Sequence, residues 1–196
     1  MPIDLCTWMS LLMAKLSHDL ASPLGAIGLG IEILEDNPTD SPTYHTLKES
    51  YLLAELRLKY YRLIFSEKPL FSEVHDLVNR LAQLKNVTLE WREDGIKSQS
   101  LVALVAPLAY LSIEAMLKGG TLTISLSEKK ITLQAEGPRI QWGPNLLDIL
   151  GSPLVSRDLC DTRTILAFYL RYQSQSVNKK IDCQALDRHK FSIVIS

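Results

Sequence analysis

The chain has 196 residues, a formal net charge of −1, 46 % hydrophobic residues and 22 % charged ones. That apolar content excludes wholesale disorder, and the near-neutral balance, with a pI near 6.4, excludes a general nucleic-acid binder, which needs a basic surface. The three cysteines, Cys6, Cys160 and Cys183, lie far apart without a CxxC pair or ligand spacing to the four histidines, so they read as small buried hydrophobes of a reducing compartment rather than as a disulfide framework or metal site.

Asp4 interrupts the start of the chain before any apolar run, and the longest uncharged run, Leu5 to Ala14, is too short to span a bilayer. The expectation is a soluble cytoplasmic protein without membrane contact. From Leu5 the apolar residues Met9, Leu12, Leu16, Leu20, Leu24, Ile27, Ile31 and Leu34 follow at steps of three or four. This predicts a helix of about eight turns. "DNPTDSP", residues 36–42, stops it with turn chemistry; Ser41 fits an N-cap and Pro42 a first helical position. Leu47, Tyr51, Ala54, Leu58, Tyr61 and Phe65 then repeat the stripe, and the short connection makes the two helices antiparallel neighbours. Further apolar residues off the stripes (Leu11, Ile33, Leu52, Leu53, Leu56, Leu63, Ile64) exceed what one hairpin can cover. A second copy packed on the first, giving a dimeric four-helix bundle, accounts for them.

Past "SEKPLFS", residues 66–72, the texture becomes α/β, so the expected boundaries are a hairpin over 1–68 and a second domain over 73–196. Ser72 is placed to cap a helix from Glu73 to about Lys85. "VTLEW" alternates like a strand, and residues 103–118 read as a helix that Pro107 kinks or delays. "TLTISL", "ITLQAE", "IDCQ" and "FSIVIS" read as strands, with a helix from Thr162 to about Gln173 among them. Gly119-Gly120 and Glu128-Lys129-Lys130 supply turns. This order predicts an α/β sandwich, one sheet covered by helices on one face.

The first helix carries "KLSHDLASPLGAI". His18 lies two residues after Leu16, about 200° round the helix, and so faces away from the apolar stripe. Its helical neighbours are Ala14, Lys15, Ala21, Ser22 and Gly25. Nearly all are small, which leaves room for a macromolecule to reach the imidazole, with one cation beside it. Pro23 has no N–H, so the carbonyl of Asp19 loses its helical partner and the helix is expected to bend there. Asp19, adjacent to His18, can orient one ring N–H and raise the basicity of the other nitrogen. His45, His75 and His189 show no such pattern and read as surface or capping residues; Trp8, Trp91 and Trp142 read as packing residues.

"SHDLASPLGAI" resembles the H-box of histidine-kinase dimerisation domains, with an acidic residue after the histidine and a proline five positions on. The resemblance implies that His18 carries a phosphoryl group on nitrogen and that Asp19 assists as general base or orienting group. The second domain resembles the GHKL ATPase fold of the same kinases in its element order and in "EAMLKGGTLTI". Its nucleotide residues depart from that family. The position of the Mg²⁺-binding Asn holds Glu114, that of the adenine-binding Asp holds Ala135, and a glycine of the following loop is replaced by Arg139. The glycine-rich lid is replaced by "CDTRTIL", whose side chains obstruct phosphate approach to backbone N–H groups. The combination resembles the ChpT-type bacterial histidine phosphotransferases, kinase-like proteins without ATP binding.

That resemblance implies a homodimer and a phosphorelay with response-regulator receiver domains and a receiver-bearing hybrid histidine kinase. It also implies no cofactor of the chain's own, the Mg²⁺ arriving on the receiver. Receiver docking is expected over Ala14, Lys15, Ala21, Ser22 and Gly25, steered by the cations Arg57, Lys59 and Arg62, with Arg157 and Arg163 as candidates in the second domain. Two other readings stand beside it: an active sensor kinase core, and a non-catalytic module that binds or inhibits a kinase or receiver.

Overall fold

The computed structural model describes residues 5–66, 68–95, 98–143, 145–152 and 155–196, with side chains for all of these except 5, 6 and 157. The first stripe position, Leu5, together with Cys6 and the docking candidate Arg157, therefore lies outside the described side chains. Two long helices open the chain, α1 (Leu5–Asp36) and α2 (Ser41–Ile64), packed along each other. The turn differs from expectation by one residue. Asp40, not Ser41, is the N-cap of α2, held by Thr43 Oγ1, which donates to Asp40 Oδ2 at 2.5 Å. A carboxylate accepts that bond where the Ser41 hydroxyl has already entered the helix.

Three more long helices follow, α3 (Phe71–Leu84), α4 (Gln99–Ala115) and α6 (Ile165–Ser176), with a short α5 (Leu146–Gly151) before the last. Ser72 does not cap α3. The helix begins at Phe71, and the Glu73 carboxylate accepts from the Leu70 N–H at 3.3 Å. α4 runs through Pro107 and starts four residues before the expected position 103. α5, absent from the sequence reading, is too short to carry a helical period. It follows Asn145, whose φ of 62° is left-handed backbone.

The strands β1 (Val87–Glu93), β2 (Gly120–Leu126), β3 (Ile131–Glu136), β4 (Ile181–Ala185) and β5 (Lys190–Ile195) form a five-stranded sheet in the order β1-β2-β3-β5-β4. β1 and β2 are parallel, joined by α4 as the crossover, and every other pairing is antiparallel. Leu122, Ile124, Leu126, Ile131, Leu133, Phe191, Ile193 and Ile195 are buried on the helix side. Polar residues alternate with them on the open side, as one-sided burial requires. Gly119 and Gly120 enter β2 with φ of 70° and 134°. A Cβ on the first would strike the Asn86 carbonyl, and on the second the Glu136 carbonyl, so only glycine fits this corner.

α4 is apolar on nearly every side, with 13 of its 17 residues buried. A helix like that needs cover all round. Its neighbours are β3, α3, α6 and the C-terminal half of α2, where Leu56, Tyr60, Tyr61, Leu63 and Ile64 are buried. Tyr60 Oη donates to the Ala106 carbonyl at 3.0 Å, and Tyr169 Oη to the Ile64 carbonyl at 3.1 Å. The rings of Tyr60, Tyr61, Phe65, Tyr110 and Tyr169 lie in successive contact along this seam. The rest of the hairpin is different. The stripe residues Leu24, Ile31, Tyr51 and Leu58, together with Leu29 and Leu52, are exposed in the single chain. Cys160 and Cys183 are half-buried rather than buried; burial, then the Asp182 charge, push the Cys183 thiol up to about 12. Among the described residues no helix is long and apolar enough to cross a membrane.

Leu108 is fully buried at the centre of α4. Leu108→Ala is expected to cost roughly 2–5 kcal/mol through lost transfer energy and a cavity. Urea unfolding should show a lower midpoint with an unchanged m-value.

Candidate functional site

The period of α1 turns successive residues by about 100°, and this separates His18 from Asp19. His18 stands on the open face with 84 % of its side chain exposed. Asp19 turns into the seam under α2 and α4 and is 6 % exposed, the one buried acidic residue among the described residues. A buried carboxylate must be paired, and each oxygen of Asp19 has two partners. Oδ1 accepts from Lys15 Nζ at 2.8 Å and lies 3.2 Å from His18 Nδ1. Oδ2 accepts from Tyr61 Oη at 2.5 Å and from Tyr110 Oη at 3.2 Å. Burial works to raise the Asp19 pKa. The hydrogen bonds from Lys15 and Tyr61, the Lys15 charge and the His18 contact outweigh it, so the carboxyl is held below its ordinary value. Burial first, then the bond to Asp19, push the Tyr61 hydroxyl well up; burial does the same to Tyr110. Both phenols therefore stay protonated donors.

The carbonyl that Pro23 leaves without a helical donor is not left bare. Arg57 Nη1, from α2, donates to Asp19 O. A buried or half-buried carbonyl needs such a donor, and α1 continues through Pro23 as one helix. This changes the expectation for two cations. Arg57 is turned inward onto α1 rather than standing free to steer a partner. Lys15, expected as a cation open to an incoming phosphoryl group, is 19 % exposed and ion-paired with Asp19. Arg57, Lys59 and Arg62 do not form one patch. Lys59 and Arg62 border a cleft between α2 and α3 that also holds Arg80, Glu73 and Asp76, and Lys59 is paired with Glu55 at 2.8 Å.

Around His18, Ala14, Ala21, Ser22 and Gly25 are all exposed. A Cβ on Gly25 would meet no atom within 4 Å, so internal packing does not require its small size. Gly30, lower on the same helix, is small for a different reason: a Cβ there would press on Leu47 at 3.1 Å.

Of the positions expected to correspond to nucleotide residues, Glu114 and Arg139 have internal partners and Ala135 is buried. Glu114, on α4 one turn after Tyr110, is ion-paired with Lys85 at 3.0 Å. Ala135 is buried in β3. Arg139 Nη2 donates to Gln141 Oε1 at 2.9 Å. The Trp142 ring packs edge-on against Phe191 with centroids 4.5 Å apart. In the segment that stands for the lid, Asp161 Oδ1 accepts from the backbone N–H groups of Arg163 and Thr164 at 2.8 and 2.9 Å. Burial opposes the charge of Asp161, but these backbone bonds hold its pKa down. These two amides lie in the turn that leads into α6, whose first helical residue is Ile165, and a carboxylate already holds them. Arg163 is exposed and lines a small cavity of ≈ 160 Å³ with Lys15, Glu114 and Trp142.

Sequence reading missed Tyr61 and Tyr110 as site residues, because both sat in apolar patterns and reach Asp19 across 42 and 91 residues. The orphan carbonyl at Asp19 was visible from Pro23, but its donor was not. The Asp161 turn, in "DTRT", had a local signal in Asp followed by backbone amides two and three residues on.

Residues 71–189 match the family described as histidine phosphotransferase C-terminal domain. Protein phosphotransferase ChpT of Brucella abortus (strain 2308) is 23 % identical over 187 residues, spanning 90 % of this chain and 89 % of that protein. A 1.7 Å structure of a bacterial phosphotransferase superposes with a TM-score of 0.87 at 20 % identity, over 100 % of this chain and 98 % of the other. The two chains share a fold.

The lowered Asp19 pKa has a stability consequence with a definite sign. Its contribution is complete above the unfolded carboxylate value of ~3.9 and is lost as pH falls through the lower folded value. Asp19→Asn is expected to cost roughly 2–4 kcal/mol at neutral pH, since it removes a buried charge that Lys15 and two hydroxyls serve. Urea unfolding of both proteins from neutral to acid pH should show that difference constant down to about pH 4 and shrinking below it.

Proposed function

The chain belongs to the histidine phosphotransferase family, and we propose that it passes a phosphoryl group between receiver-domain aspartates through His18, without binding ATP. The observation that carries this reading is the pairing of an open imidazole with a buried, ionised carboxylate. With Nδ1–H donated to Asp19, the Nε2 lone pair is free and points away from the chain. It attacks the phosphorus of an aspartyl phosphate in line. The P–N bond forms, the P–O bond to the acyl oxygen breaks, and the receiver carboxylate leaves. The ring becomes positively charged at that moment, and the Asp19 carboxylate stabilises it. The reverse reaction loads a second receiver. Mg²⁺ belongs with the receiver's own carboxylates in this scheme, and the chain contributes positioning.

Ala14, Ala21, Ser22 and Gly25 form the docking floor. Lys15 acts through Asp19, and Arg62 with Lys59 offers charge at the α2 end of the same hairpin. Residues 1–68 are the phosphotransfer hairpin, and 73–196 a degenerate ATPase-like domain. The exposed apolar residues of α1 and α2 support a homodimer in which two hairpins form a four-helix bundle. The absence of ATP binding is supported by the Asp161 turn, by the Glu114–Lys85 pair and by Ala135. A phosphate at the turn before α6 would have to displace the Asp161 carboxylate, and Glu114 would add repulsion. The donor is a receiver-bearing hybrid kinase, the acceptor a response regulator, and the compartment the cytoplasm.

The test is transfer from receiver domains prephosphorylated by a kinase, with wild type, His18→Ala and an ATP-only control. Acid-labile, base-stable label from receivers, lost in His18→Ala, is the expected result. Label from ATP alone would restore the sensor-kinase reading, and no label from a competent receiver panel would favour a pure binding module. Gly25 provides a second check. Gly25→Ala should stabilise the chain by about 1 kcal/mol, as an exposed helical glycine does. Gly25→Leu should fold equally well yet raise the receiver concentration for half-maximal transfer. An unchanged value would remove Gly25 from the docking floor.

A further inference from the structure

We propose that Tyr61 and Tyr110 are positioning residues for the transfer step, holding Asp19 in the orientation that keeps His18 Nδ1 protonated and Nε2 free. The inference rests on the phosphotransfer reading of His18. It assigns a task to the second domain, because Tyr110 comes from α4, one turn before Glu114.

A carboxylate is flat and turns about one bond. Asp19 is gripped on both oxygens, but from different elements. Lys15 and His18, both on α1, meet Oδ1; Tyr61 of α2 and Tyr110 of α4 meet Oδ2. The α1 partners move with Asp19 and fix nothing relative to the rest of the fold. The two phenols come from outside and decide which oxygen faces the imidazole. The other charged group at this point, Arg57, meets the Asp19 carbonyl rather than the carboxylate. Glu114 lies beyond, paired with Lys85.

Packing alone does not need these hydroxyls, since phenylalanine fills the same ring space. A buried hydroxyl must find an acceptor, and the seam itself supplies the comparison. Tyr60 is buried in the same ring cluster, 5.2 Å from Tyr110 by centroids, yet its hydroxyl goes to the Ala106 carbonyl and not to Asp19. Tyr60 is thus a packing tyrosine, whereas Tyr61 and Tyr110 direct their donors to the carboxylate beside the reacting ring.

The experiment uses the full chain in four forms: wild type, Tyr60→Phe, Tyr61→Phe and Tyr61→Phe/Tyr110→Phe. Two quantities are read. One is the His18 tautomer, by NMR of ¹⁵N-histidine-labelled protein with His18 assigned by substitution. The other is the single-turnover transfer rate from a phosphorylated receiver as a function of pH. Wild type and Tyr60→Phe should share a predominant Nδ1–H tautomer and the same rate within about twofold. The double variant should show mixed tautomers and a rate lower by on the order of 10-fold. Its half-saturating receiver concentration should be unchanged, and its acid limb should lie at higher pH because Asp19 has lost two donors. Tyr61→Phe should fall between. Wild-type tautomer and rate in the double variant overturn the proposal, as does an equal loss in Tyr60→Phe. Failure of the phosphotransfer reading is told apart, because it leaves wild-type His18 unlabelled while the tautomers are read without any receiver.

Discussion

A carboxylate taken out of water has to be met by donors on every side, and Asp19 imposes that requirement at the point where three helices touch. α1 brings it, with Lys15 and His18 on one oxygen; α2 and α4 bring Tyr61 and Tyr110 to the other. Arg57 closes the backbone carbonyl of the same residue. Desolvation of an unpaired carboxylate costs several kcal/mol, so the hairpin and the second domain have to meet in one register for this group to be satisfied. The exposed histidine inherits its orientation from that register.

In the second domain the five-stranded sheet and the helices over it enclose the apolar core, and several polar groups pair within the chain. Glu114 holds Lys85, Asp161 holds the amides of Arg163 and Thr164 ahead of α6, and Arg139 holds Gln141. α4 fills the space between sheet and helices, and its burial on all sides explains why it tolerates Pro107 without breaking. The aromatic seam with α2 ties the hairpin to this core by rings and by the Tyr60 and Tyr169 hydroxyls.

The two ends of the hairpin have different physical tasks. Near the seam, α2 buries five residues against the second domain. Farther away, large apolar residues of both helices meet water in the single chain. Small residues near His18 are open to solvent without serving internal packing at Gly25, whereas Gly30 is small because α2 passes close to it. One helix thus carries three kinds of small or apolar position, distinguishable only by what lies opposite each.

The local pattern of the chain was enough for the long helices, the five strands, the facing of His18 away from the stripe and the orphan carbonyl at Asp19, because periodicity, proline and turn chemistry act over a few residues. It misjudged Ser41 and Ser72 as caps, since the competing carboxylates of Asp40 and Glu73 stood one residue away on either side. It overlooked α5, which is shorter than two turns. Tertiary structure alone decided the burial of Asp19, the inward turn of Arg57 and Lys15, and the meeting of Tyr61 with Tyr110. Those contacts span up to 91 residues, and no local rule distinguishes a tyrosine placed for its ring from one placed for its hydroxyl. That distinction arises only when folding brings an acceptor to the oxygen.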